Sequence, residues 1–179
     1  MKNKKKTIII LLIAIIVTII AGTIAYHMVL NSRKNTFEQG FIKTEIIENF
    51  NSGNNIKENV LIKNTGNTPM YVRASILYLF ENSDGQILDE KPVKDTDYTI
   101  NFSSSSNWIL SNDGYYYYKL PIEPGSNTDI LIDNCKQIKE YDNKTFIVDI
   151  IVQGIQSNPS KAVIDAWGVD VKDDKITIE

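Results

Sequence analysis

Two long stretches of this sequence alternate apolar and polar residues with period two, and they limit the fold more than any other feature. In MYVRASILYLF (70–80), Met70, Val72, Ala74, Ile76, Tyr78 and Phe80 fall on one side. In KTFIVDIIVQGIQ (144–156), Phe146, Val148, Ile150 and Val152 do the same. Successive side chains on a strand point to opposite faces, so this pattern specifies strands with one buried face. Half-polar strands of this kind belong in antiparallel sheets, not in parallel sheets covered on both sides.

Shorter segments between them read the same way. FIKTEIIENF (41–50) is β-branched, and NSGNN (51–55) is a turn cluster. In IKENVLIKN (56–64), Ile56, Val60 and Ile62 share one face, with Lys57, Asn59 and Lys63 on the other. TGNTP (65–69) and ENSDG (81–85) are turns, and 86–97 is a polar loop. DYTINF (97–102) and NWIL (107–110) flank a loop of four serines (103–106). SNDG (111–114) then joins Trp108–Leu110 to Tyr115–Tyr118 as a hairpin turn. LPIEPGS (120–126) is a connection, and TDILID (128–133) alternates as a strand. In NPSKAVIDAWG (158–168), Asn158 is the predicted N-cap, Pro159 the first helical residue and Gly168 the stop. A last strand is expected within 175–179. The expected fold is all-β: an antiparallel two-sheet β-sandwich, jelly-roll-like, over 41–179, with one short helix near 158–167.

The front of the chain is different. KNKKK (2–6) precedes TIIILLIAIIVTII (7–20), which carries no charge, and AGTIA ends at Ala25. A basic start, an apolar run and a small-residue exit, with Thr23 and Ala25 before Tyr26, read as a secretory signal cut after Ala25. The other reading is an uncleaved membrane anchor, since 7–30 is long enough to cross about 30 Å of hydrocarbon as a helix. Both place the lysines inside and the rest of the chain outside. Residues 26–40 have no clear period and read as a linker or a loosely held first strand. Of the 19 Lys+Arg, the four leader lysines leave with residues 1–25, so 15 stand against 22 Asp+Glu and the exported part carries −7. An acidic exterior argues against nucleic acid or an anionic membrane surface as its partner.

No catalytic constellation is present. The chain has one His and one Cys, so neither an intramolecular disulfide nor a His/Cys zinc site fits. A serine triad needs a His base, and the one His, His27, lies at the signal junction, where such a base is not expected. Cys135 has only lysines nearby and reads as a structural thiol. Acid pairs such as Asp89–Glu90 and Asp173–Asp174 read as solvated loop residues, without calcium-loop spacing. No catalytic residue, metal or cofactor is therefore assigned. Tyr115, Tyr116, Tyr117 and Tyr118 are expected to split two and two between strand faces. One pair would join Trp108 in the core, and the other would cover the sheet or an assembly interface.

Several segments together resemble one family. They are GTIAY (22–26), NTFEQGFIKTEIIENF (35–50), VLIKNTGNTPMYVRASI (60–76), NWILSNDGYYYYKLPIEPGSNTDIL (107–131) and VDIIVQGIQSNPSKAVIDAWGV (148–169). They look like the TasA/camelysin-like exported proteins of Gram-positive bacteria, especially BsaA-type biofilm matrix subunits processed by a SipW-type signal peptidase. The resemblance implies a jelly-roll β-sandwich without enzymatic activity, on the cell surface or in the matrix. It also implies a homo- or hetero-polymer with related matrix subunits, in which an N-terminal strand of one subunit completes the sheet of the next. The donor segment would be Tyr26 to Thr36, including Met28, Val29 and Leu30, freed by cleavage after Ala25. The metalloprotease label of the camelysin branch is not carried over, because no metal ligands accompany it here. The alternative is a single-pass membrane-anchored binding module whose loops (81–97, 103–106) contact a ligand.

Overall fold

The computed structural model describes residues 16–20, 23, 39–51 and 56–178. The chain divides into two compact units, Met1–Gln39 and Gly40–Glu179. In the first, residues 16–20 and Thr23 are helical. The Thr23 hydroxyl donates to the carbonyls of Ile19 (2.8 Å) and Ile20 (2.9 Å). Among the described residues no helix is long and apolar enough to cross a membrane. Most of the leader expected over 1–25 lies outside them.

The second unit is mostly β. Its strands are β1 (Thr44–Asn51), β2 (Ile56–Asn64), β3 (Met70–Asn82), β4 (Tyr98–Phe102), β5 (Trp108–Leu110), β6 (Tyr116–Tyr118), β7 (Ile132–Gln137) and β8 (Lys144–Gln156). Helix α1 (Lys161–Trp167) and strands β9 (Asp170–Lys172) and β10 (Lys175–Thr177) follow. Two four-stranded antiparallel sheets have the orders β1-β2-β7-β4 and β5-β6-β3-β8, and β9-β10 form a separate hairpin. The two alternating stretches of the sequence, β3 and β8, pair with each other without interruption from Met70↔Gln156 to Asn82↔Lys144.

One hydrophobic cluster draws on both four-stranded sheets. Val60, Ile62, Tyr98, Ile100 and Ile132 come from the first sheet; Met70, Val72, Ala74, Tyr118, Val148 and Ile150 come from the second. The opposite face of β3 and β6 is covered as well. Tyr71 and Tyr117 pack there with Val163 of α1, Val169 and Ile176 of β10. Helix and hairpin thus give the second sheet a second buried face, which period two alone does not reveal. Gly66 brings the turn after β2 against the chain ahead of β1. A Cβ at Gly66 would stand 2.5 Å from the Phe41 carbonyl oxygen, so only glycine permits that approach.

The structure departs from the sequence expectations in three places. The first is the face of Lys57. The β1–β2 register shifts between Ile47 and Asn49, leaving one extra residue on β2, and Asn59 takes φ 53°. A matching shift puts an extra residue on β7 opposite β4. Strands β2 and β7 stay in step with each other, pairing Val60 with Ile132 and Lys57 with Cys135. The two bulges therefore lie side by side, and both strands change face there. Lys57, expected on the polar side with Asn59 and Lys63, turns toward the core side with Cys135.

The second departure is β7, which begins at Ile132, where the alternation predicts a strand over 128–133. Residues 128–131 bond to β2 without a regular ladder: the Thr128 and Leu131 N–H groups donate to the Ile62 and Val60 carbonyls (2.8 and 2.7 Å). Thr128 Oγ1 accepts the Ile62 N–H (3.0 Å), and the Asp129 carbonyl accepts the Trp108 indole N–H (3.0 Å). The third is the helix, expected near 158–167 and observed at Lys161–Trp167. The Asn158–Pro159 bond is cis, and Ser160, not Asn158, is the N-cap. The predicted stop holds: Gly168 has φ 67°, and its N–H donates to the Ile164 carbonyl.

Candidate functional site

Strands β1 and β8 end their respective sheets, and they run beside each other along one flank. Even-numbered residues of β3 direct their backbone groups away from β8: Met70 exchanges bonds with Ile122, and the Phe80 carbonyl accepts from Leu88. Antiparallel pairing alternates, so β8 bonds to β3 through its odd-numbered residues. The N–H and C=O groups of Phe146, Val148, Ile150, Val152 and Gly154 consequently face away from β3, on an edge where no strand pairs with them among the described residues.

The flank is also short of apolar cover. Ile46 pairs with the fully buried Ile62, so it faces the core side, yet it is 36% exposed. Phe50 pairs with the core-facing Lys57 and is 61% exposed. A cleft of about 310 Å³ opens here, lined among others by Glu48, Phe50, Lys57, Cys135, Phe146 and Val148. Farther along the same edges, a cavity of about 270 Å³ is lined by Ile42, Lys43, Thr44, Met70 and Gly154. Inside the first cleft, Lys57 Nζ lies 2.9 Å from Glu48 Oε2 and donates to the Val148 carbonyl (3.1 Å). Burial pushes the Cys135 thiol up to about 11 against the opposing pull of Lys57, which keeps it an unreactive thiol at neutral pH.

The five aromatic residues singled out in the sequence fall on two faces. Trp108 pairs with Tyr118 across β5–β6, their rings 5.2 Å apart, and Tyr116 stacks on Phe102 at 4.8 Å. Tyr115 and Tyr117 lie on the other face with Arg73. Its guanidinium sits 4.0 Å from the Tyr115 ring centroid and 5.0 Å from that of Trp167. The Tyr117 hydroxyl donates to Asp113 (2.7 Å) and accepts from Arg73 (3.0 Å). Of the signal and donor residues, only Thr23 is described. Ala25, Tyr26, Met28, Val29, Leu30 and Thr36 lie outside the described residues, as does His27. Among the described residues, no group of three or more His, Cys, Asp or Glu is placed to hold a metal ion.

Glu48 and Lys57 escaped the sequence reading. Their positions depend on the bulge and on which strands end the sheets. The one local signal is Asn59, a residue tolerant of positive φ inside an alternating run.

No protein-family model, curated protein or solved structure matches the chain.

Two carboxylates tie the loops to the sheets. The Tyr141 hydroxyl and the Val93 N–H hold Asp97 below the ordinary carboxylate range despite burial, with help from Lys139 and Lys144. For Asp113, burial alone raises the pKa, but Tyr117, Tyr115, Ser111 and Arg73 together outweigh it and the net direction is down. A carboxyl depressed by folding stabilises the native state above its unfolded pKa, near 4, and that stabilisation is lost as pH falls through the folded value. The thermal stability of the wild type is therefore expected to fall as pH drops below about 4. Asp97→Asn should flatten part of that dependence when melting temperatures are compared between neutral and strongly acidic buffers.

Proposed function

We infer that this chain is an exported, non-enzymatic structural subunit of a cell-surface or biofilm matrix, and that its β-rich unit is a jelly-roll-like sandwich. After signal cleavage, residues 26–36 of one copy add as a strand to the β8 edge of the next. The observation that carries this reading is the flank where outward-facing β8 backbone groups, with no strand partner among the described residues, lie beside the exposed Ile46 and Phe50. An exposed edge of this kind is a template for strand addition, with backbone bonds supplying affinity and alternate side chains supplying register. The donor fits in length, because eleven extended residues reach about 36 Å, more than the span from Phe146 to Gly154. Tyr26, Met28 and Leu30 alternate along it as an apolar face. The sequence resemblance to TasA-like matrix proteins agrees with this reading.

The test is the N-terminal residue of the native protein in surface and culture fractions, followed by deletion of residues 26–36. A start at Tyr26, with polymer in the wild type and monomer in the deletion, is the expected result. Retention of Met1 or Lys2 in the membrane fraction, with no polymer, would overturn it in favour of an anchored extracellular binding module.

A further inference from the structure

We propose that Lys57 is a latch that closes the middle of the β8 edge, so that strand addition at this flank requires its displacement. This rests on the strand-addition reading above, with residues 26–36 of a second copy as the occupant.

The outward-facing backbone groups of β8 are not all equally open. The Val148 carbonyl accepts from Lys57 Nζ at 3.1 Å, and the Ile150 N–H donates to Asp149 Oδ1 at 2.9 Å. These two groups are neighbours on the open edge, at its centre. Side chains thus occupy the two positions that an incoming strand needs in order to run continuously from Phe146 to Gly154. A core-facing charge and a side-chain cap are devices by which edge strands avoid unwanted pairing.

Lys57 reaches this position only because β2 and β7 bulge together. With regular alternation it would point away from the opposite sheet. Its charge is held by Glu48 on β1, so a single lysine joins both sheet edges that border the cleft. The donor segment carries His27, Arg33 and Lys34 and no acid. Glu48 on the flank complements that charge, and a cation of the incoming strand can take over Glu48 when Lys57 leaves.

The experiment uses the full chain in mild detergent and a fluorescent synthetic peptide of residues 26–36, followed by anisotropy. Lys57→Met keeps the alkyl stem and removes the charged donor. It is expected to speed peptide association about tenfold, the worth of one hydrogen bond to a charged group. Asp149→Ala, at an exposed position that does not threaten folding, should speed it by a smaller factor. Val152→Pro removes an edge-facing N–H and should block binding. Binding to the wild type that Val152→Pro abolishes, but neither Lys57→Met nor Asp149→Ala accelerates, overturns the latch and leaves strand addition standing. No binding to any variant overturns both. Binding seen only in a chain lacking residues 26–36 shows the chain's own segment on the flank and overturns the second copy as occupant.

Discussion

Tyr117→Ala is expected to lower the unfolding free energy by about 3–5 kcal/mol, the range for removing a large buried aromatic side chain. Tyr117 is fully buried between the second sheet and the helix and hairpin that cover it. Its ring meets Trp167 edge-on at 5.7 Å, and its hydroxyl links Arg73 to Asp113. Truncation opens a cavity and also leaves two charged groups without their shared partner. Tyr117→Phe keeps the ring and loses only the hydroxyl, so it should cost about 1–2 kcal/mol. Urea denaturation of both variants separates the packing from the polar contribution. Hydrogen exchange over 161–178 supplies a second readout, because α1 and β10 lose their buried anchor in Tyr117→Ala. Equal losses in the two variants would show that the cavity term is absent.

Asn64→Ala is expected to cost about 3 kcal/mol or more, since each buried polar group left unpaired costs about 1–3 kcal/mol. Asn64 is completely buried at the end of β2. Its Nδ2 donates to the carbonyls of Thr68 and Ile122, both at 2.9 Å, and its Oδ1 accepts the Gly66 N–H at 2.9 Å. One side chain therefore satisfies groups from the turn before β3 and from the connection after β6. Asn64→Asp has the same shape but at neutral pH cannot donate, and its charge faces two carbonyl oxygens. It should be less stable than Asn64→Ala at pH 7 and recover as its carboxyl protonates. That pH dependence is opposite in sign to the acid sensitivity contributed by Asp97 and Asp113. Chemical denaturation at pH 7 and pH 4 measures both effects. A Asn64→Asp variant that loses stability on acidification would contradict the hydrogen-bond assignment.

Most of the strands were legible because their alternation is local. Residues 70–80 and 144–156 carry the pattern in full, and they form the longest pair in the molecule. The split of the four tyrosines follows from the same geometry, since any strand divides consecutive residues between faces. Gly168 closes the helix where its freedom to adopt positive φ predicts. That helix starts later than the sequence predicts, because Asn158 and Pro159 precede it instead of opening it. The strand predicted over 128–133 begins only at Ile132, because side-chain contacts with distant residues, Ile62 and Trp108, interrupt the regular ladder at residues 128–129. None of those partners is encoded within the segment itself.

The candidate site divides along the same line. The sequence by itself determined that the chain builds antiparallel strands with one short helix. It also determined that one His and one Cys are too few for a His/Cys zinc site, and that the first 25 residues differ in kind from the rest. These follow from side-chain periodicity and from the absence of residue types, which need no knowledge of neighbours in space. Tertiary structure alone decided which strands end their sheets, that β1 and β8 share a flank, and that paired bulges turn Lys57 inward to the Val148 carbonyl. The physical reason is that edges and bulges are properties of pairing between strands distant in sequence, and a lysine's direction depends on the register that such pairing sets.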